Sequence, residues 1–322
     1  MRNRILVTGA GGFIGHHLVR FLKKKGYLVR GVDIKYPEYS ARNEADEFFL
    51  LDLRNYQSCL KATKGAYHVY NLAANMGGIG FINEYKADVM HDNVLINTNI
   101  AEACTKNSIK RVFYSSSACI YPTFKQDKTE IAGLKENDAY PAMPEEGYGW
   151  EKLFSEKLFL SYHIDHGLVV RIARFHNIYG PEGTYDGGRE KAPAAICRKV
   201  ALAKNGEVEI WGDGKQTRSF CYIEDCLEGI YKLMNSDYGE PLNIGSDRLV
   251  TINEMVDIVS QIAHKNIKKI YRIDKPQGVR GRNSDNTLLK KILNWEPQVS
   301  LEAGLEKTYY WIVSQLLMNF LS

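Results

Sequence analysis

The stretch that most constrains this chain is Thr8-Gly9-Ala10-Gly11-Gly12-Phe13-Ile14-Gly15. It follows directly on the apolar run Arg4–Thr8 and opens an amphipathic pattern over Phe13–Lys25, so the spacing predicts a strand, a tight glycine turn and a helix. Gly9, Gly12 and Gly15 have G-x-x-G-x-x-G spacing. Glycine suits such a turn because the chain bends sharply there, because backbone must come close to a pyrophosphate, and because helix and strand must pack closely. The helix N-terminus behind it offers unpaired N–H groups and a partial positive charge to phosphates. Gly9, Gly12, Phe13, Ile14 and Gly15 are therefore the candidate dinucleotide contacts.

Short apolar runs continue at Leu28–Val32, Glu47–Leu50, His68–Asn71, Arg111–Ser115 and Val169–Arg174. Helical patterns alternate with them at Tyr56–Thr63, His91–Asn107 and Tyr148–Ile164. This alternation predicts an α/β chain built on a doubly wound parallel sheet, the Rossmann arrangement. After about residue 176 the pattern loosens. A helix at Ala192–Ala203, strands at Glu207–Trp211 and Leu242–Ile244, and a helix at Ile252–His264 predict a smaller C-terminal α/β domain. The expected division is a dinucleotide-binding domain over 1–175, with a returning segment at about 219–248, and a substrate domain over 176–218 and 249–322. The crevice between them is the expected ligand site.

Composition excludes several classes. Lys and Arg (42) barely outnumber Asp and Glu (38), which argues against a nucleic-acid partner but allows a local pocket for a small anion. The six cysteines at 59, 104, 119, 197, 221 and 226 show no zinc-ligand spacing and are too few for a disulfide framework. No metal is expected, and reduced thiols fit a cytoplasmic protein. The apolar stretch Tyr309–Leu321 is interrupted by Ser314, Gln315 and Asn319, too polar to span a bilayer. It reads as a docking helix, and no signal peptide is expected before the strand at Ile5.

Asp33 ends the second strand, where a carboxylate accepts hydrogen bonds from both ribose hydroxyls and repels a 2′-phosphate. It favours NAD over NADP, with Arg30 and Lys35 as the nearby cations. Asp52 is placed to meet an adenine amino group, and Leu53 and Ala73 are further candidate cofactor contacts. Tyr148 and Lys152 lie at i and i+4, on one helix face. A tyrosine titrates near about 10; bringing it to about 7 corresponds to roughly 4 kcal/mol, which an ammonium and an oxidised nicotinamide together can supply. Ser117, last of the run Ser115–Ser117, is the candidate for holding a sugar hydroxyl.

The glycine loop, the serine run and Tyr-x-x-x-Lys in this order resemble extended short-chain dehydrogenases acting on nucleotide sugars. Ala-Asn-Met-Gly-Gly-Ile-Gly-Phe (74–81), Ser-Ala-Cys-Ile-Tyr-Pro (117–122), Arg-Phe-His-Asn-Ile-Tyr-Gly-Pro (174–181), Gly-Gly-Arg-Glu-Lys-Ala-Pro-Ala-Ala (187–195), Trp-Gly-Asp-Gly-Lys-Gln-Thr-Arg-Ser-Phe (211–220) and Gly-Val-Arg-Gly-Arg-Asn-Ser-Asp-Asn (278–286) are similar to the GDP-mannose 3,5-epimerase family nearly end to end. The chain departs at Asn75, where that family usually has Asp, and it lacks the plant members' N-terminal extension.

The resemblance implies an isomerase that converts GDP-D-mannose to GDP-L-galactose, or to GDP-L-gulose, with NAD oxidising carbon 4 transiently. Tyr148 would take the carbon-4 hydroxyl proton, and Cys119 and Lys191 would exchange protons at carbons 3 and 5. Gly77, Gly78, Ser117, Ala118 and Cys119 would line the sugar. Asn177, Glu190, Lys191, Ala192, Lys199, Gln216, Thr217, Arg218 and Arg282 would hold the rest of the GDP-sugar, and the assembly would be a homodimer. Other readings are another NAD-dependent nucleotide-sugar epimerase or an epimerase-reductase, for which a His would stand at Lys191. A non-catalytic Rossmann sensor or binding protein is a third.

Overall fold

The computed structural model describes residues 4–41 and 44–321. Six strands come first: β1 (Arg4–Thr8), β2 (Leu28–Asp33), β3 (Glu47–Leu50), β4 (His68–Asn71), β5 (Arg111–Ser117) and β6 (Val170–Phe175). A seventh, Leu242–Ile244, returns late in the chain to pair with β6. All seven are parallel, in the order returning strand, β6, β5, β4, β1, β2, β3. The order reverses beside β1, which places a ligand crevice at the strands' carboxyl ends.

The helices are α1 (Phe13–Lys24), α2 (Tyr56–Thr63), α3 (Ile79–Glu84), α4 (Lys86–Lys106), α5 (Glu146–His166), α6 (Ala192–Leu202), α7 (Ile223–Asn235), α8 (Ile252–Ile262), α9 (Thr287–Leu293) and α10 (Leu301–Leu321). The two-residue period of the strands splits the core between the sheet faces. Ile5, Val7 and Phe113 join α1 and α7 on one face. Leu6, Val112 and Tyr114 join α2, α4 and α5 on the other. The segments after β6 form a second layer. Glu207–Trp211 pairs in parallel with Lys268–Arg272, and Thr217–Arg218 lies between Val250–Thr251 and Gly281–Arg282. The helix α10 packs on α6 and α8.

The expected strands and most helices are present, with shifted ends. The helix expected from His91 starts at Lys86, and the docking helix starts at Leu301 rather than Tyr309. The helices α3, α7 and α9 and the strand Lys268–Arg272 were not anticipated. The helix α3 is only six residues long, too short to show a helical period, and none of its residues is buried.

Candidate active site

The glycine turn is built to admit no side chains. Gly9 has φ +68°, and a Cβ on it would lie 2.8 Å from the Ala73 nitrogen. A Cβ on Gly15 would lie 1.9 Å from the Gly9 carbonyl oxygen. Thr8 ties the next strand end to the turn: its hydroxyl donates to Asn71 Oδ1 at 2.8 Å and accepts the Leu72 and Ala73 N–H groups, each at 3.1 Å. Ala73 thus sits beside Gly9. Gly12 caps α1 with no side chain on the free N–H groups, leaving them for an anion. Phe13 packs against the turn at Gly183, and Ile14 against the core.

Asp33 faces the same turn. Its carboxylate accepts N–H groups from Gly11 at 2.9 Å, Ile34 at 2.6 Å and Lys35 at 3.3 Å. Burial raises its pKa, and those N–H bonds oppose the shift. Arg30 is no rival cation for a phosphate there, because it bonds Glu47 and the carbonyls of Ala62 and Lys64. Asp52 is bound by Arg54, which also grips Asp92. Leu53 is buried, and its carbonyl accepts the Cys59 thiol. Asn75 donates to Asp92 at 3.1 Å. An aspartate at 75 would face that carboxylate, so the departure from the family residue suits its neighbour.

At the centre, β5 ends in Ser117, whose hydroxyl accepts the Cys119 N–H at 3.2 Å and thereby caps the short turn Ala118–Ile120. Ala118 is buried beneath it. The helix α5 brings Tyr148 and, one turn on, Lys152, both nearly fully buried. The Ser117 hydroxyl is close enough to the Tyr148 phenol to favour its ionised form. Lys152 donates to the Ser115 carbonyl at 3.1 Å and stands 5.6 Å from the centre of the Tyr148 ring. Burial pushes Tyr148 well above its ordinary pKa and Lys152 below its own, while Glu151, 3.8 Å from the ammonium, counters the latter.

The sugar-side segments converge. The Gly78 N–H donates to the Arg189 carbonyl at 3.0 Å, and a Cβ on Gly78 would lie 2.5 Å from the Glu190 oxygen. Gly77 is equally tight against Phe81. Lys191 caps α6, which Ala192 begins. Burial lowers the Lys191 ammonium, and Cys119 lies close enough to act on it electrostatically.

Glu190 accepts Gly188 N–H and Arg198. Asn177, at φ +46°, donates to the Ser219 carbonyl. Lys199 donates to the Glu209 carbonyl at 2.8 Å beside Trp211, and Gln216 donates to the Trp211 carbonyl. Thr217 donates to Thr129. Arg218 bonds only carbonyls, Thr217 at 2.7 Å and Gln277 at 3.3 Å, and burial lowers it to about 10. A half-buried guanidinium without a carboxylate partner among the described residues suits an anion. Arg282 differs: it donates to Gln126 at 2.7 Å, the Cys119 sulfur at 3.3 Å and Glu145 at 2.7 Å. It sits at the thiol with its donors engaged.

Gly11, Gln126 and Glu145 escaped the sequence reading, as did the buried chain from Asn71 through Asn97 to Ser155. Gly11 stood inside the motif and was countable; the others belong to no motif.

The family model of NAD dependent epimerases and dehydratases matches residues 5–245, spanning this turn, Ser117 and the Tyr148–Lys152 pair. The chain belongs to the NAD dependent epimerase/dehydratase family. As a family member it is 52% identical to the GDP-mannose 3,5-epimerase of Arabidopsis thaliana over 314 residues, 97% of this chain and 83% of that one. It is 30% identical to GDP-L-fucose synthase 1 of the same plant, over 97% and 94% of the two chains. The solved UDP-glucose 4-epimerase of Thermotoga maritima superposes with a TM-score of 0.89 at 26% identity, covering 97% and 99%. NAD is the cofactor of this epimerase/dehydratase family, and the glycine cradle, the uncapped α1 N-terminus and Asp33 fit it. Among the described residues no helix is long and apolar enough to cross a membrane.

Proposed function

We propose that this chain epimerises GDP-D-mannose at carbons 3 and 5 to GDP-L-galactose, with GDP-L-gulose as the product when carbon 5 alone inverts. The single observation carrying this is that Ser117, Cys119 and Tyr148 meet at the start of α5, with Cys119 close enough to Lys191 to act on it electrostatically, in a chain 52% identical to a GDP-mannose 3,5-epimerase. When bound, NAD supplies a hydride acceptor for carbon 4 that later gives the hydride back.

Tyr148 takes the carbon-4 hydroxyl proton and Ser117 orients that hydroxyl. The protein's own burial favours the neutral phenol, so the Lys152 ammonium and a cationic nicotinamide ring act against it to reach a usable base. A carbonyl at carbon 4 acidifies the hydrogens on carbons 3 and 5. Lys191, its ammonium destabilised by burial, is the proton acceptor, and the Cys119 thiol is the donor on the opposite face. Arg218 and Lys199 counter the diphosphate charge, with Glu190, Asn177, Gln216 and Thr217 around them. Asp33, Asp52, Leu53, Ala73 and the glycine turn hold the dinucleotide.

The reading extends to a cytoplasmic homodimer with a dinucleotide domain over 1–175 plus a returning segment at about 219–248, and a substrate domain over 176–218 and 249–322. Met90 on α4 and Trp150 and Phe154 on α5 are exposed apolar residues that a second copy would cover. The test is incubation with GDP-mannose in deuterated water, following sugar protons by NMR. Deuterium at carbons 3 and 5 with new epimer signals is expected; exchange at carbon 5 alone narrows the activity, and no exchange with NAD added overturns it.

A further inference from the structure

The Cys119 sulfur lies between opposite charges. It accepts a hydrogen bond from Arg282 Nη1 at 3.3 Å, and the Glu145 carboxylate lies close enough to act on it electrostatically. Glu145 and Arg282 are themselves paired at 2.7 Å, with side-chain exposures of 17% and 6%, and the Glu145 N–H donates to the Cys119 carbonyl at 3.1 Å. Gln126 fixes the third edge of the guanidinium at 2.7 Å. A buried guanidinium touching a thiol favours the thiolate, which is useless as a proton donor. Here the carboxylate neutralises that guanidinium.

We propose that Glu145 is a positioning residue which, through its ion pair with Arg282, the guanidinium that touches the thiol, keeps Cys119 in its protonated, proton-donating form. Arg282 then stabilises the sulfur once the proton has left. The other titratable groups that act on Cys119 electrostatically are Lys191, Lys152, Arg218 and the Tyr148 phenol. Lys152 and Arg218 are cations, so without Glu145 the surroundings of the sulfur would be cationic. Burial works against ionisation of Glu145, but Arg282 overrides it and holds the carboxyl below its ordinary range. Burial also raises the Cys119 thiol, Arg282 opposes that, and Glu145 adds to it. The proposal rests on the epimerase reading for its purpose, and its test does not use the substrate.

The test is the pH profile of iodoacetamide alkylation of the full-length protein, read by mass at Cys119. The other five cysteines are buried, and Cys119→Ser is the background. In Glu145→Gln the profile's midpoint moves down. The plateau rate falls as well, by about threefold per pH unit of midpoint shift, because a less basic thiolate is a weaker nucleophile. In Arg282→Met the midpoint moves up, and in Glu145→Asp, which keeps the charge, it stays near that of the parent protein. A merely loosened site would also lower the midpoint, by relieving the burial that raises the thiol, but it would raise the plateau rate instead of lowering it. Coincident midpoints in parent and Glu145→Gln overturn the proposal, as does an upward shift in the latter. If Glu145→Gln does not fold, an Arg282→Met midpoint at or below that of the parent does the same. Loss of deuterium exchange into GDP-mannose with the midpoint shifts intact would sink only the epimerase reading.

Discussion

The backbone carbonyl of Cys119 fills the space where a side chain on Gly149 would begin: a Cβ there would lie 2.4 Å from that oxygen. The first turn of α5, which carries Tyr148, is thereby packed directly against the turn that carries the thiol. Gly149→Ala forces one to move from the other. Overpacking of this kind costs about 1–3 kcal/mol, and a displacement of about 1 Å at reacting groups can cost about 100-fold in rate. The expected outcome is a folded protein, by circular dichroism, with exchange into GDP-mannose reduced at least that far. Parent-like turnover would show that the contact relaxes without consequence.

Asp33→Asn keeps the shape of the side chain and removes its charge. Hydrogen bonds to charged groups contribute about 1.5–3 kcal/mol, so NAD binding should weaken roughly 10- to 100-fold. Binding of NADP should weaken less, because a repulsion is lost at the same time. Calorimetry on nucleotide-stripped protein reads both affinities, and an unchanged NAD affinity would place the ribose elsewhere.

Cys119→Ser and Lys191→Met leave Ser117, Tyr148 and Lys152 in place. Oxidation at carbon 4 should persist in both, visible as absorbance near 340 nm after mixing with GDP-mannose. Deuterium entry at carbons 3 and 5 should fall by about 10²–10⁴, the usual contribution of a general acid or base. Full exchange in both variants would remove this pair from the chemistry.

His176 is fully buried and donates from Nε2 to Asn243 Oδ1 at 3.0 Å; that oxygen also accepts the Tyr121 hydroxyl. Burial lowers its pKa from 6.5 to about 3. The unfolded chain therefore binds a proton that the folded protein refuses. Stability falls as pH drops from 6.5 toward 3, by up to about 1.4 kcal/mol per unit. In His176→Gln this part of the slope should vanish, so denaturant titrations between pH 6.5 and 4.5 should show a shallower decline than in the parent. Equal slopes would mean His176 is protonated in place.

The alternation of apolar runs and amphipathic stretches made the sheet legible, because strand and helix periods are written locally. Tyr148 and Lys152 were legible for the same reason, being one helical turn apart. Lys191 and Cys119 were not, since their meeting depends on how α6 docks; only the family's motifs named them. Arg282 is expected among the nucleotide contacts, and the partners that hold it, Cys119, Gln126 and Glu145, could not be read from the sequence. Those partners lie more than a hundred residues away, and no periodicity links them to residue 282.

The late return of Leu242–Ile244 to β6 bears on how the protein is made. On the ribosome, β6 emerges long before the strand that closes its outer edge. Until then Ala173 to Phe175 offer an open row of backbone donors and acceptors, the kind of edge that recruits other chains. The nascent sheet must be shielded by the growing chain or by chaperones through the synthesis of α6 and α7. A product cut off before residue 242 would keep the glycine cradle, the tyrosine and the lysine, and still be an aggregation seed rather than a small working enzyme.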